Sequence, residues 1–225
     1  IYLVGLLKNA LPQNLHFLDK LVKVIQKEYY RSTTRKSEKA LKDGLKEANE
    51  FLEQIAKKGD VSWLGNLSFA ALSLKNFELN FTKVGDLKIF LLRGGKVIDV
   101  DQKLKFEEIT PWPLKIFGNI VSGKLTEDDV ILVLTKEVTD FFERGNLLNE
   151  IAKIELFSER GFKEFFNEKK EEVLKISGLS LFLLLTKEVL AGKKQVITPK
   201  SYPKEFNLKE VFSPFIKIFK GLIRK

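Results

Sequence analysis

The order in which two hydrophobic periodicities follow one another along the chain constrains its fold most. Apolar residues recur at three- and four-residue steps over residues 15–29 and 40–55, which predicts two helices. About six strand-like stretches follow over residues 67–134, and helical patterns return over residues 138–173. Apolar residues 1–7 and 179–186 predict a strand at each end. The expected order is therefore strand, two helices, about six strands, helices and strand.

This order favours an α+β fold over a doubly wound nucleotide-binding fold, in which strands and helices would alternate. We expect a four-layer αββα sandwich of two antiparallel sheets, each covered by a helical pair. Residues 67–100 are predicted to form a meander, and residues 120–125 are predicted to pair with residues 130–134 through a solvated acidic turn at Glu127, Asp128 and Asp129. Eight side chains are expected to point inward: Phe69, Leu72, Phe81, Phe90, Leu92, Leu132, Leu134 and Phe182.

The amino-acid composition excludes several classes of functional site. Cysteine is absent from the 225 residues, which excludes disulfide scaffolds, thiol nucleophiles and cysteine-ligated zinc. The single histidine, His16, cannot build a site from several imidazoles and is expected to be a surface or helix-cap residue. Apolar runs such as residues 130–134 fall far short of the roughly 20 residues that span a membrane. The isoleucine start and the absence of methionine favour a piece of a longer protein.

Positive charge is concentrated at one end of the chain. Of the formal net charge of +9, residues 193–225 carry +7, from nine basic and two acidic residues. The preceding residues are almost neutral, which argues against a nucleic-acid-binding surface spread over the fold. We therefore divide the chain into a domain at residues 1–192 and a basic tail at residues 193–225.

The tail contains a predicted amphipathic helix that begins at Ser213 and Pro214. Its apolar face is Phe215, Ile216, Phe219, Leu222 and Ile223, and its basic residues are Lys217, Lys220, Arg224 and Lys225. The pattern is typical of a helix that docks on the body of a protein. It is equally typical of a helix that lies on an anionic membrane or leads into a spanning segment.

Several short motifs stand in a recognisable order. A Leu-Gly-Asn at residues 64–66 precedes a strand, a Lys-Val-Gly-Asp turn ends the strand at residues 83–86, and an apolar hairpin with Arg-Gly-Gly-Lys follows at residues 89–96. The segment 132–140 reads Leu-Val-Leu-Thr-Lys-Glu-Val-Thr-Asp. Together these motifs resemble the metal-dependent Ser/Thr protein phosphatases of the PPM type (protein phosphatase 2C-like), whose αββα sandwich agrees with the predicted order.

The resemblance implies a degenerate site. In that family, aspartates hold two divalent metal ions that activate water. This sequence has Gly5 and Leu6, Lys136 and Glu137, and Ser177 and Gly178 at the matching positions, while Asp86 matches the family's turn aspartate. The resemblance therefore implies vestigial positions at those seven residues, with no catalytic residue, metal or cofactor. The family's opening strands have no counterpart in these residues.

These observations lead us to expect a pseudophosphatase that works as a binding or regulatory domain of a larger, membrane-attached protein. We expect a protein partner, an anionic membrane surface as a second partner of the tail, and a location in the cytoplasm at the inner face of the membrane. Lys136 is a candidate to hold a phosphate or an acidic side chain. One alternative is an active phosphatase in which Mg²⁺ or Mn²⁺ is held by displaced carboxylates such as Asp86, Asp99 and Asp101. A further alternative is a nucleic-acid-binding module that acts through the tail.

Deletion of residues 213–225 is predicted to abolish binding to anionic vesicles without lowering the melting temperature. Each basic residue near an anionic surface contributes about 1 kcal/mol at most, and less at high salt, so the aromatic face must add to the attachment. Vesicle co-sedimentation and thermal denaturation of both chains measure the two effects. A fall of several degrees in the melting temperature would instead place the helix in the core of the body.

Overall fold

Two antiparallel sheets of four strands each form the centre of the fold in a computed structural model that describes residues 1–14, 16–104, 115–154 and 159–185. The first sheet has the order β1-β2-β3-β6 and the second the order β5-β4-β7-β8. The strands are β1 (Tyr2–Leu7), β2 (Leu67–Lys75), β3 (Glu78–Val84), β4 (Leu87–Arg93), β5 (Lys96–Asp99), β6 (Val121–Lys124), β7 (Val130–Thr135) and β8 (Ser180–Leu184). The helices are α1 (Phe17–Tyr29), α2 (Ser37–Lys57), α3 (Lys136–Arg144), α4 (Leu147–Ala152), α5 (Glu159–Glu168) and α6 (Lys170–Val173).

Three apolar layers separate these four layers of secondary structure. Leu21 of α1 and Leu41 of α2 pack against Phe69 on the outer face of the first sheet. The middle layer lies between the sheets, where Phe81 and Ile131 belong to one buried cluster. A third layer packs the outer face of the second sheet against α3, α4 and α5. The predicted αββα sandwich is confirmed.

The eight side chains predicted to point inward do not share one layer. Seven of them are buried and Phe182 is half-buried. Leu72 and Phe81 lie between the sheets, whereas Phe69 faces α1 and α2. The other five, Phe90, Leu92, Leu132, Leu134 and Phe182, face the helices that cover the second sheet. Successive residues of a strand point to opposite faces, so a strand covered on both faces carries buried side chains in two layers.

Two predicted strand pairings are wrong. The segments near residues 121–124 and 130–135 do not pair with each other, because β6 pairs with β3 and β7 pairs with β4. The predicted meander is also divided, since β3 and β4 are consecutive but belong to different sheets. Turn residues fix where a strand ends, but they do not decide whether the next strand stays in the same sheet. In addition, the helical pattern of residues 162–173 is divided between α5 and α6.

The acidic turn before β7 is not wholly solvated, which corrects a second prediction. Asp129 is buried and accepts hydrogen bonds from Arg93 Nε at 2.9 Å and Arg93 Nη2 at 2.7 Å. The backbone amide of Thr126 donates to Asp129 Oδ2 at 2.6 Å. Burial acts to raise the pKa of Asp129, but the hydrogen bonds from Arg93 and Thr126 outweigh burial and lower this pKa. The turn is thus anchored to β4 by a two-point ion pair.

His16 is exposed at the N-cap position of α1, as expected, with its Nδ1 3.7 Å from Asp19 Oδ2. Across the described ranges, no helix combines the length and the apolar character that crossing a bilayer requires. The basic tail at 193–225, with the predicted helix after Ser213, lies outside the described residues, so the division into two domains stays a prediction.

The turn from β3 to β4 depends on Gly85, and Gly85→Ala is expected to lower the free energy of unfolding by about 3 kcal/mol. Gly85 has a φ of +69°, and a Cβ placed there would lie 2.7 Å from Ser68 Oγ and 2.8 Å from Ser68 Cα. Gly94→Ala is the matched control, because Gly94 has a φ of +54° with open space around it. The control should cost about 1 kcal/mol in urea denaturation. Equal losses in the two variants would contradict the steric argument.

Candidate functional site

Four chain segments meet at one end of the sandwich. β1 ends at Leu7, which pairs with Leu67 at the start of β2. The β3–β4 turn lies against Ser68, whose Oγ accepts a hydrogen bond from the Asp86 amide at 3.1 Å. At the end of β7, the amide of Thr135 donates to Leu179 O at 3.1 Å, just before β8. The end of β1, the turn, the start of α3 and the start of β8 therefore form one neighbourhood.

The ammonium group of Lys8 bridges two of the predicted site positions. Lys8 follows β1 directly, and its Nζ lies 3.0 Å from Glu137 Oε1 and 3.6 Å from Asp86 Oδ2. The side chain of Lys8 is 34% exposed, that of Glu137 43% and that of Asp86 64%, so both contacts are open to water. Asp86 comes from the turn between the sheets and Glu137 from the first turn of α3. Lys8 thus connects the first sheet to the helical layer of the second.

Interactions within this group favour the charged forms of Lys8 and Glu137. The hydrogen bond to Glu137 and the charges of Glu137 and Asp86 raise the pKa of Lys8 despite partial desolvation. The hydrogen bond from its own backbone amide, followed by the one from Lys8, lowers the pKa of Glu137. A lysine and two carboxylates have a net charge of −1 when all three are ionised. The ammonium group of Lys8 already contacts two carboxylates, so this group is an ion-pair network rather than an anion-binding site.

Lys136 does not join this network. Its Nζ lies 3.4 Å from Asp140 Oδ2, one turn further along α3, and its side chain is 58% exposed. The partner of Lys136 in the structure is thus a carboxylate of its own helix. Exposed pairs of this kind contribute little to stability.

Gly5 and Leu6 lie before the bridging lysine on β1. A Cβ at Gly5 would lie 2.8 Å from Phe69 Cδ2 and 3.2 Å from Leu18 Cδ2. Position 5 therefore faces α1 and is filled by the ring of Phe69, which leaves no room for a metal-binding side chain. Leu6 is half-buried and pairs with Ser68.

Ser177 and Gly178 lie at the approach to β8. A Cβ at Gly178 would collide with Thr135 Oγ1 and would lie 2.6 Å from Val138 Cγ2. The adjacent amide of Leu179 donates to Thr135 Oγ1 at 3.1 Å, which accounts for this close approach. Ser177 is exposed. At this position the backbone, rather than a carboxylate, contacts the end of β7.

A second charged group contains the carboxylates of the alternative hypothesis. Asp101 is fully buried, with its Oδ2 against the ammonium group of Lys83 and its Oδ1 3.7 Å from Lys88 Nζ. Lys88 also lies 2.9 Å from Asp99 Oδ2, and Asp99 Oδ1 accepts a hydrogen bond from the Asp101 amide at 3.2 Å. Lys83 additionally donates to Leu87 O. Two lysines therefore face the two carboxylates.

The pKa of Asp101 is raised above its ordinary value. Removal of the carboxylate from water is the main cause, and the neighbouring Asp99 adds to the effect. The ammonium group of Lys83 acts in the opposite direction without cancelling it. Ionised Asp101 consequently depends on its lysine partners.

These residues do not fit the two divalent ions that active members of the resembled family hold. A dinuclear centre needs several anionic oxygens directed at one point. Here Asp86 and Glu137 face a lysine, and Asp99 and Asp101 face two more. Among the described residues, no three histidine or acidic side chains come close enough together to hold an ion.

The sequence reasoning named Asp86 and Glu137 but missed Lys8, which joins them. Lys8 is the first charged residue after the apolar strand β1, at the same strand end as Gly5 and Leu6. This position at the end of β1 indicates that Lys8 lies near the site. Lys83 belongs to the Lys-Val-Gly-Asp motif, but nothing in its spacing indicates a contact with the buried Asp101.

Comparison with known proteins gives matches only at the level of structure. No protein-family model and no curated protein matches the sequence. The serine/threonine phosphatase of S. agalactiae superposes with a TM-score of 0.51 at 14% identity, over 81% of this chain and 85% of that one. The chain has the fold of the PPM-type phosphatases. At this level of identity the likeness concerns the fold alone.

Two further solved structures are similar to this chain, with lower TM-scores. The phosphatase domain of the cell fate determinant SpoIIE from Bacillus subtilis matches at 13% identity, over 80% of this chain and 82% of that chain, with a TM-score of 0.45. PppA of Pseudomonas aeruginosa, a key regulatory component of T6SS, matches at 18% identity with a TM-score of 0.43. That match covers 61% of this chain and 66% of PppA.

Replacement of Lys8 by methionine is expected to raise the pKa of Glu137. The pKa should stay below the ordinary value of 4.5, because the hydrogen bond from the Glu137 backbone amide is the larger cause and remains. Since the folded-state pKa is lowered, Glu137 stabilises the fold above the unfolded pKa, and this contribution is lost as the pH falls through the folded pKa.

Carboxyl carbon NMR shifts followed from pH 7 to pH 2 measure the change. Lys136→Met is the matched control, because the charge of Lys136 is the last of the causes that lower this pKa. Its effect should be smaller than that of Lys8→Met. Equal rises in both variants would show that Glu137 senses only the general positive charge of the region.

Proposed function

We propose that this chain is a catalytically inactive phosphatase-like domain that acts by binding a protein partner. The observation that carries the proposal is the ammonium group of Lys8, 3.0 Å from Glu137 and 3.6 Å from Asp86. Lys8 places a positive charge next to the two carboxylates, where a metal ion would otherwise contact them.

Three positions support inactivity independently. Gly5 faces the ring of Phe69, Gly178 lies against Thr135, and Lys136 adds a positive charge at the start of α3. An additional carboxylate at position 5 or 178 would collide with these neighbours. Since hydrolysis by metal-activated water requires carboxylates to hold the ions, this arrangement favours binding over catalysis.

The alternative of an active enzyme with displaced carboxylates has weaker support. Asp99 and Asp101 lie together, as that hypothesis requires, but Lys83 and Lys88 share them. Recruitment of Asp101 to a metal would take the carboxylate partner from the half-buried Lys83 and place the ion beside two ammonium groups. Attachment to the inner face of a membrane, and contact of the tail with nucleic acid, rest on the composition of residues 193–225 and remain proposals from sequence.

The wild-type chain is expected to give no binding heat with Mn²⁺ or Mg²⁺ and no hydrolysis of an aryl phosphate above that of Lys136→Ala. Lys8→Ala should acquire weak Mn²⁺ binding, because it leaves Asp86 and Glu137 without their shared cation. Addition of Asp86→Asn to Lys8→Ala should remove that binding again. Isothermal calorimetry and p-nitrophenyl phosphate hydrolysis make both measurements.

Metal binding with phosphatase activity would contradict the proposal. Micromolar Mn²⁺ binding by the wild-type chain, together with turnover that disappears in Asp86→Asn, would show a rebuilt active site. The active-enzyme alternative would then replace the proposal. Circular dichroism of each variant confirms that a negative result does not come from unfolding.

A further inference from the structure

A cleft lies between α2 and residues 115–120, the segment that leads into β6. Its volume is about 460 Å³, which falls within the roughly 300–1,000 Å³ that small-molecule sites usually have. One wall consists of α2 residues three or four positions apart, which share a face of the helix, and the other contains Phe117 and Ile120. None of the residues in the two charged groups at the strand ends lines this cleft.

The wall opposite α2 is held in place by the side chain of Asn49. Its Oδ1 accepts hydrogen bonds from the amides of Ile116 at 3.0 Å and Phe117 at 2.9 Å, and its Nδ2 donates to Phe117 O at 2.9 Å. The ring of Phe117 also makes an edge contact with the ring of Phe69 on β2, with 5.7 Å between the ring centres. The segment is thus attached both to α2 and to the first sheet. A ligand therefore meets a cleft that is already formed, which lowers the cost of binding.

The inner surface of the cleft is apolar. Leu45 and Phe117 are buried members of the layer between the helices and the first sheet, and the half-buried Ile120 packs against the same layer. The carbon stems of the lysines at the entrance extend this surface outward. An apolar chain that enters the cleft is therefore removed from water, which favours its binding.

The acidic side chains at the entrance of the cleft already have basic partners. The three pairs are Asp43 with Arg35 at 2.7 Å, Glu50 with Lys46 at 3.6 Å, and Glu53 with Lys57 at 2.7 Å. Each carboxylate that lines the entrance is thus compensated by the chain itself. A cationic ligand would have to compete with these partners, so the entrance does not favour a cation.

Two lysines at the entrance have no such partner. Lys42 on α2 and Lys115 on the other wall are both exposed, and neither makes an ion pair within the described part of the chain. Since the carboxylates are compensated, these two ammonium groups leave an excess of positive charge beside an apolar cleft. The complementary ligand carries one anionic group at the end of an apolar chain.

We propose that this cleft binds a single-chain aliphatic carboxylate, a free fatty acid of about twelve carbons. The chain lies against Leu45, Phe117 and Ile120, and the carboxylate lies at the entrance between Lys42 and Lys115. At roughly 30 Å³ for each water-sized group in a liquid, 460 Å³ holds on the order of fifteen non-hydrogen atoms, and dodecanoate has about fourteen. This inference goes beyond the proposed function, because it requires neither catalysis nor a protein partner.

Isothermal calorimetry of the 225-residue chain with dodecanoate, kept below its micelle concentration, measures binding to the cleft. One molecule should bind to each chain. Decanoate should bind about fifteenfold more weakly, because each buried methylene group contributes about a factor of four. Dodecyltrimethylammonium has the same chain with a positive head group and should bind at least about tenfold more weakly than dodecanoate.

Substitutions of the two lysines locate the carboxylate. Lys42→Met and Lys115→Met should each weaken dodecanoate binding about fivefold, and the double variant about twentyfold, since each removes one charge from the entrance. Methionine retains an unbranched apolar side chain at these exposed positions, so the fold should persist. Circular dichroism of each variant checks this.

Lys39→Met is the matched control. Lys39 is exposed on α2 one turn before Lys42 and likewise makes no ion pair in the described ranges, but it does not line the cleft. Its replacement removes the same charge from the same helix. Dodecanoate binding to this control should stay within about twofold of that of the wild type.

Three results would overturn the carboxylate site. They are absence of dodecanoate binding, equal losses from Lys39→Met and Lys42→Met, and unchanged binding in the double variant, which would place the ligand elsewhere, such as on the basic tail. An anionic membrane lipid has the same combination of apolar chain and anionic head group. Loss of binding to phosphatidylglycerol vesicles in the double variant would therefore overturn the free acid as the ligand. The Mn²⁺ titration tests the proposed function separately, because the cleft and the charged groups share no residue.

Discussion

Burial of both faces of the central strands is the constraint on which the rest of this structure depends. In β2, Phe69 faces α1 and α2, while its neighbour Ala70 faces the second sheet. β4 shows the same division, with Ile89 between the sheets and Phe90 toward the second helical layer. Each such side chain contributes about 2 kcal/mol when it is removed from water, so both faces of both sheets require cover. Helices outside two stacked sheets provide that cover, and the four layers follow.

Two groups of paired charges lie where strands of the sheets end. At one end of the sandwich Lys8 joins the turn at Asp86 to the start of α3 at Glu137. Near the end of β5, Lys83 reaches the buried Asp101. In both places lysine side chains contact carboxylates, so the chain itself supplies the positive charge next to them. A phosphatase-type fold retains its architecture in this arrangement, because the apolar layers and not the charged ends hold the sheets together.

At the lateral side formed by β1 and β8, the cover of the sheet faces is incomplete. There the middle layer reaches the surface through half-buried Val4, Leu181 and Leu183, and neither edge strand carries a charge.

The sequence by itself determined the secondary structure and the layer architecture, because local periodicity records which faces of a segment are buried. The helices at α1 and α2, the strands from β2 to β7 and the exposed position of His16 were all predictable in this way. The pairing of β6 with β3 and of β7 with β4 was decided only by the tertiary structure, since residues 120–134 read locally as one hairpin. The same holds for the site. Sequence order indicated Asp86 and Glu137, but only the fold brings Lys8 to them from the end of a strand distant in the chain. The contact of Lys83 with Asp101 is likewise decided by the fold, because the distance between two charges is a property of the tertiary structure.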